Sequence, residues 1–318
     1  MSDTSSALNV AVLMGGPSAE AEVSRNSAAQ VADALRDSGH QPHLVELDQQ
    51  CVGTLQQLAP DVVFPALHGP PGEDGTVQGF LEILQLPYVG SDVHGSALAM
   101  DKAVAKHLFR HADLPVSQDM VISATHDIAA AADQITQKLG PRVVIKPQNQ
   151  GSAIGVVLLP NGGDIHAALG EALQYGPVLV EPYILGKEIT VGVLELEDQL
   201  KAHPVIEIVT ASGEWYDYTN RYAAGKSEHK IPADLDDATQ RRLQDIAIRA
   251  HQVLALRDLS RADFLVDDNN EITLLEVNSL PGMTPTSLYP DGASHLGYSF
   301  AQLIDYLTRR AYQRQQAS

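Results

Sequence analysis

Cysteine is almost absent from this sequence: Cys51 is the only one among 318 residues, so no disulfide can form within the chain. That fits a reducing compartment, and Cys51 is expected to act as a small buried apolar residue. Basic residues are scarce as well. Lys and Arg number 21 against 40 Asp and Glu, a formal charge of −19. This balance argues against nonspecific binding to nucleic acid or to an anionic membrane surface. No apolar run approaches the ~20 residues of a membrane span, and Met1–Leu8 carries no basic region of the secretory type. The expectation is a cytoplasmic protein. With so few cations, each lysine or arginine near a glycine loop is informative. The rest is ordinary for a globular protein, with 44% hydrophobic and 19% charged residues in a chain long enough for two or three modules.

Leu8–Met14 is a short apolar run ending at Gly15-Gly16-Pro17, which predicts a buried strand, and a helix follows to Asp37. A second strand over 61–67 runs into His68-Gly69-Pro70-Pro71-Gly72-Glu73-Asp74-Gly75, then a helix over 76–84. Alternating strands and helices point to a parallel α/β module. The first glycine turn is not GxGxxG, so dinucleotide binding is not indicated. A helix over 101–111 leads to a second, smaller α/β unit: strand 116–122, helix 125–139, strand 143–146, a glycine loop, strand 154–159, helix 163–174 and strand 178–183. Strands over 188–196 and 200–209 then lead to an aperiodic polar stretch, Tyr216–Lys230, expected to be a mobile loop. The helix over 236–256 has an apolar face of Leu243, Ile246, Ala247, Ala250, Val253 and Leu254. A hairpin over 261–278 and a last helix over 297–312 finish the chain. His43, His166 and His251 are expected to be surface or packing residues.

The hairpin carries the clearest chemistry. A two-residue turn at Asn269-Asn270, where asparagine tolerates positive φ, sets Asp263 opposite Glu276 and Arg261 opposite Asn278. Side chains alternate by two, so all four share one face. Directly opposed carboxylates, with Cβ atoms ~5 Å apart, destabilise a bare sheet. A divalent cation reverses that sign, and two carboxylates with a carboxamide make an all-oxygen set suited to Mg²⁺ on nucleotide phosphates. The competing account is a solvated polar strand face. A second feature is Lys146-Pro147 ending an apolar strand before Gln150-Gly151-Ser152-Ala153-Ile154-Gly155. A lysine at a buried strand tip is costly unless it meets an anion, and a glycine loop can lay backbone N–H groups on phosphates. Glu181 and Glu188 flank a Pro182/Gly186 turn and could accept from an adenine amino group and a ribose. His68 ends a strand before glycines, which suits a site role.

Taken together, these stretches resemble the D-alanine–D-alanine ligases of the ATP-grasp superfamily. The matching blocks are GGPSAEAEVS (15–24), ALHGPPGEDG (66–75), GSALAMDK (95–102), KPQNQGSAIG (146–155), EPYILGKEITV (181–191), YDYTNRY (216–222), SRADF (260–264) and EVNSLPGMTPTSL (276–288). The resemblance implies an α/β (α+β) ATP-grasp fold in three parts. These are a Rossmann-like parallel-sheet substrate domain (1–94), a central ATP-grasp domain (95–185) and a C-terminal catalytic domain (186–318). It implies ATP as a substrate, bound through Lys102, Lys146, Ser152, Glu181, Glu188 and Arg221. It implies two Mg²⁺ or Mn²⁺ on Asp263, Glu276 and Asn278. Glu20 would accept the ammonium of the first D-alanine and form a closing network with Ser152 and Tyr222. His68, Ser287 and Leu288 would line the substrate site, with Ser287 holding the second carboxylate. Arg261 and the Gly282 amide would form the oxyanion hole.

The activity implied is ATP-dependent formation of D-alanyl-D-alanine through a D-alanyl phosphate, for peptidoglycan precursors, by a homodimer. Alternatives are a ligase joining D-lactate, D-serine or another amino acid, and a nucleotide-binding regulator that has lost catalysis. Tyrosine at position 222 resembles the dipeptide makers rather than the D-lactate users. Arg221 stands where lysine is common, Ala153 where serine is common, and Leu280 where a small or branched residue is usual.

Overall fold

The computed structural model describes residues 6–197, 199–210 and 227–316. The chain opens with β1 (Asn9–Met14), α1 (Ala21–Asp37), β2 (Gln41–Glu46), α2 (Cys51–Leu58), β3 (Val62–Pro65) and α3 (Thr76–Ile83). The strands form a parallel sheet in the order β2-β1-β3. Val10, Ala11, Val12 and Leu13 are fully buried, as a parallel strand covered on both faces requires. The loops after β1 and β3 leave from the same carboxyl edge, where ligands of such sheets collect. Those two loops carry Glu20 and His68.

Next come α4 (Val93–Met100) and α5 (Lys102–His111), then β4 (Met120–Ile122), α6 (Ile128–Leu139), β5 (Val143–Pro147), β6 (Val157–Leu159), α7 (Ile165–Ala172) and β7 (Val178–Pro182). These strands pair antiparallel in the order β4-β7-β5-β6. A third sheet contains β8 (Lys187–Leu196), β9 (Gln199–Ala202), β10 (Ile206–Thr210) and β11 (Ser227–Lys230), then, beyond α8 (Asp237–Val253), β12 (Leu259–Val266) and β13 (Ile272–Asn278). Its order is β11-β10-β8-β12-β13, with β9 also on β8. The chain closes with α9 (Leu288–Ser294) and α10 (Phe300–Gln316). Helices α4 to α8 each start on an aspartate (92, 101, 127, 164, 236) whose carboxylate accepts first-turn amides. Each of those carboxylates also complements its helix dipole.

The sequence blocks interleave in space. Ala99, Ala105, Phe109 and Leu114 share a core with Val191, Leu243, Phe264 and Leu274 of the third sheet and α8. Helix α10 returns to the first sheet, packing Leu303, Ile304 and Leu307 against Val10, Val12 and Leu35. A buried ion cluster pins this crossing: Asp258 accepts from Arg310, from Arg314 at 2.6 Å and from the Gly90 amide at 2.8 Å. The parallel sheet is thereby fixed over the other two.

Some expectations are corrected. The strand expected over 200–209 is two strands separated by His203–Val205, and the stretch expected as a loop over 216–230 ends in β11, paired with β10. Strand β2 and helices α2, α4 and α9 were not expected. The hairpin turn is not the two-residue turn at Asn269-Asn270. Asp267 pairs with Glu271, its carboxylate caps the amides of Asn269 and Glu271, and Asn270 alone takes φ +60°.

Candidate active site

The hairpin puts Asp263 opposite Glu276 and Arg261 opposite Asn278 despite the different turn. A three-residue loop moves the register by one, and a bulge between Asp263 and Phe264, with Leu275 as the extra residue on β13, moves it back. Asp263 accepts from Arg261 Nε at 2.9 Å and Arg261 Nη2 at 2.8 Å, from Thr190 Oγ1 at 2.6 Å and from Asn278 Nδ2 at 3.0 Å. Glu276 lies 3.5 Å from Lys102 Nζ. Each acid is thus paired with a cation, and the two carboxylates with the Asn278 carboxamide can supply oxygen ligands. This donor set fits a hard divalent cation. Among the described residues, no group of three or more His, Cys, Asp and Glu side chains is placed to hold a metal ion, so the set here is two carboxylates and a carboxamide.

Facing the hairpin is the second sheet. Between them lies a cleft of about 450 Å³ lined by Lys102, Lys146, Ser152, Glu181, Glu188, Arg261, Asp263, Glu276 and Leu288, with apolar Ile154, Ile208 and Leu265. The volume is that of a small-molecule site. Lys146 and Glu181 come from adjacent strands, β5 and β7, and form an ion pair. Lys102 starts α5 and donates to the Gln150 carbonyl at 2.7 Å, which ties that helix to the glycine loop. Ser152 and Ala153 in this loop take φ +46° and +59°, a conformation that side-chain-bearing residues seldom adopt and that clusters at functional sites.

At the end of the cleft under the parallel sheet, Ser152 Oγ donates to Glu20, which is 3% exposed. The carboxylate sits between two glycines. A Cβ at Gly69 or at Gly151 would stand 2.8 or 2.9 Å from Glu20 Oε2. His68 is buried and shares a 3.2 Å hydrogen bond with Ser27. Burial, then the positive charge of Arg261, lowers His68 to about 4, so it is neutral at pH 7. Gly282 adjoins Ser287, whose hydroxyl bonds Thr284. Arg221 and Tyr222 lie outside the described residues.

Three residues at the site were not singled out from sequence. Lys106 lies one turn beyond Lys102, 2% exposed, and pairs with Glu181. Ser117 accepts from Lys106 at 2.7 Å and donates to Glu181 at 2.9 Å. Glu181 therefore meets two ammonium groups. Burial lowers both lysines below the ordinary range. The sequence did contain a signal for Lys106: with Ala105 and Phe109 it occupies the buried stripe of α5. Glu73 accepts from the Gly69 amide at 2.6 Å. Burial, then the neighbouring Glu20 charge, raises it to about 8, so it is mostly protonated at pH 7.

Two antiparallel sheets gripping a nucleotide-sized cleft, capped by a parallel α/β unit, define the ATP-grasp class. Residues 47–91 match the family model described as the D-ala D-ala ligase N-terminus, and residues 108–309 the one described as the D-ala D-ala ligase C-terminus. A D-alanine–D-alanine ligase of Desulforudis audaxviator is 42% identical over 307 residues, covering 96% of this chain and 99% of that protein. The D-alanine–D-alanine ligase of Bacillus anthracis complexed with ATP superposes with a TM-score of 0.82 at 27% identity, covering 98% and 99%. The VanG D-Ala:D-Ser ligase of Enterococcus faecalis gives 0.80 at 30% identity, covering 95% and 98%. The chain belongs to the D-alanine–D-alanine ligase family.

Proposed function

We propose that this chain joins two molecules of D-alanine into D-alanyl-D-alanine, converting ATP to ADP and phosphate, as a step in making peptidoglycan precursors. The observation that carries this is the Asp263/Glu276 pair with Arg261 on one wall of the cleft, facing Lys102 and Lys146. Glu20 lies at the far end. A carboxylate is a poor electrophile, so the first D-alanine carboxylate attacks the γ-phosphorus, releasing ADP and leaving an acyl phosphate. Lys102 and Lys146 spread the charge of that transfer. Asp263, Glu276 and Asn278 would hold Mg²⁺ or Mn²⁺, which when bound neutralises phosphoryl oxygens. Glu20 anchors the first ammonium, and its placement between Gly69 and Gly151 fixes where the carboxylate points. The second D-alanine, its amine deprotonated, attacks the acyl carbon. The resulting oxyanion lies against Arg261 and the Gly282 amide, and phosphate leaves.

Tyr222, by resemblance, supports two D-alanines over D-lactate as the second substrate. A D-serine acceptor is the alternative, but the VanG ligase, at 30% identity, is less similar to this chain than the D-alanine–D-alanine ligase at 42%. ADP release screened over D- and L-amino and hydroxy acids, with product mass measured, tests both. D-alanine alone is expected to sustain turnover and give the dipeptide mass. Turnover that requires D-serine or D-lactate would replace the proposed substrate pair. A second test follows from the glycine cradle. Gly151→Ala is expected to raise the KM for the first D-alanine roughly tenfold, because the new Cβ displaces Glu20. An unchanged KM would remove Glu20 from the ammonium site.

A further inference from the structure

Glu181 binds two lysines where one would neutralise it. Lys146 reaches one carboxylate oxygen across β5 and β7, while Lys106 and Ser117 take the other. Glu181 is 4% exposed and Lys106 2%, whereas Lys146, at 9%, borders the cleft. The two lysines therefore differ in freedom. Lys106 is fixed by helix α5 and by its 2.7 Å bond to Ser117. Lys146 has the open cleft beside it, so it can turn toward a phosphate.

We propose that Lys106 is a positioning residue for the nucleotide: it remains paired with Glu181 and so releases Lys146 to the ATP phosphates. This rests on the assignment of Glu181 to the adenine amino group and Lys146 to the phosphates. If Lys146 left Glu181 with no second cation present, a buried carboxylate would keep only the Ser117 hydroxyl. Stranding a buried charge is costly, so Lys146 would stay on Glu181 and be lost to ATP. Lys106 removes that conflict, because Glu181 stays ionised and keeps its acceptor aimed at the base while Lys146 moves. Helix α5 joins both ends of the cleft. Lys102 meets Glu276 at the metal end and Lys106 meets Glu181 at the base end, four residues apart on one helix face.

The test uses the full-length enzyme and D-alanine-dependent ADP release. Lys106→Met is expected to raise the KM for ATP roughly 30-fold or more, the size typical of breaking a buried charge pair, with a much smaller change in kcat. In the Lys106→Met/Glu181→Gln double variant, Lys146 is no longer held by a carboxylate. Its KM for ATP is expected to fall well below the product of the two single effects. A Lys106→Met enzyme that loses thermal stability or kcat but keeps its KM for ATP would overturn the proposal, and so would strictly multiplicative effects in the double variant. Glu181→Gln with inosine triphosphate, which carries an oxygen in place of the 6-amino group, tests the underlying assignment separately. An unaltered preference for ATP over inosine triphosphate would show that Glu181 does not read the base. If that preference shifts while Lys106→Met leaves the KM unchanged, only the role of Lys106 fails.

Discussion

Glu276→Gln is expected to lower kcat by about 10³-fold, equivalent to about 4 kcal/mol of transition-state stabilisation. Glutamine keeps the shape and one oxygen donor but removes the charge that makes the Asp263/Glu276 pair a site for a hard cation. The apparent affinity for Mg²⁺ or Mn²⁺ should fall along with the rate. Stability should move the other way or stay level, because the substitution relieves repulsion between directly opposed carboxylates. The substitution also removes the ion pair to Lys102, at 3.5 Å. Glu271→Gln, on the exposed hairpin loop, is the matched control and should leave both quantities unchanged. Near-normal turnover for Glu276→Gln at ordinary Mg²⁺ concentrations would remove the metal assignment from the hairpin.

That hairpin also marks how far the sequence alone could be read. Its facing residues were legible, yet the route to them was not. The turn at Asn269-Asn270 was one residue off, and an unrecognised bulge corrected the error. The bulge had left a trace. In Ile272-Thr273-Leu274-Leu275-Glu276-Val277, strict alternation would bury Glu276 and expose Val277, whereas Val277 is buried. A break in phase between apolar positions is the mark of an inserted residue. The parallel sheet and most helices were legible because their apolar periods are local. Residues 99–114 pack into the third sheet's core and α10 returns to the first sheet, and those placements were not legible because no local pattern encodes a tertiary partner. Lys106 was missed for a similar reason. A lysine on an apolar stripe is a signal, but its partner lies 75 positions away, on β7.

Acid should destabilise the protein well before its carboxylates are protonated: between pH 6.5 and pH 5 a loss of about 3 kcal/mol is expected. Burial lowers His68 and His251 to about 4 and His203 to about 3. His203 is the extreme case. Its ring fills a slot between Gly192 and Gly292, and neither ring nitrogen has a partner among the described residues. Unfolded histidine titrates near pH ~6.5. As pH falls through that value, the unfolded chain takes up three protons that the folded chain refuses. Their stabilisation is therefore complete above about pH 6.5 and is lost progressively toward pH ~4. Glu73 opposes this trend. Its folded value of about 8 means that the folded state already holds a proton which the unfolded carboxyl binds only near pH ~4.5. Two net protons remain, a slope of about 2.7 kcal/mol per pH unit once the histidines titrate fully. Lys106 and Lys146 are mostly charged in both states over this window and add little. Denaturant titrations at several pH values measure the slope directly. His203→Leu should reduce the proton uptake on unfolding from about two to about one. A stability that stays flat from pH 6.5 to pH 5 would mean that these histidines are not held neutral by burial.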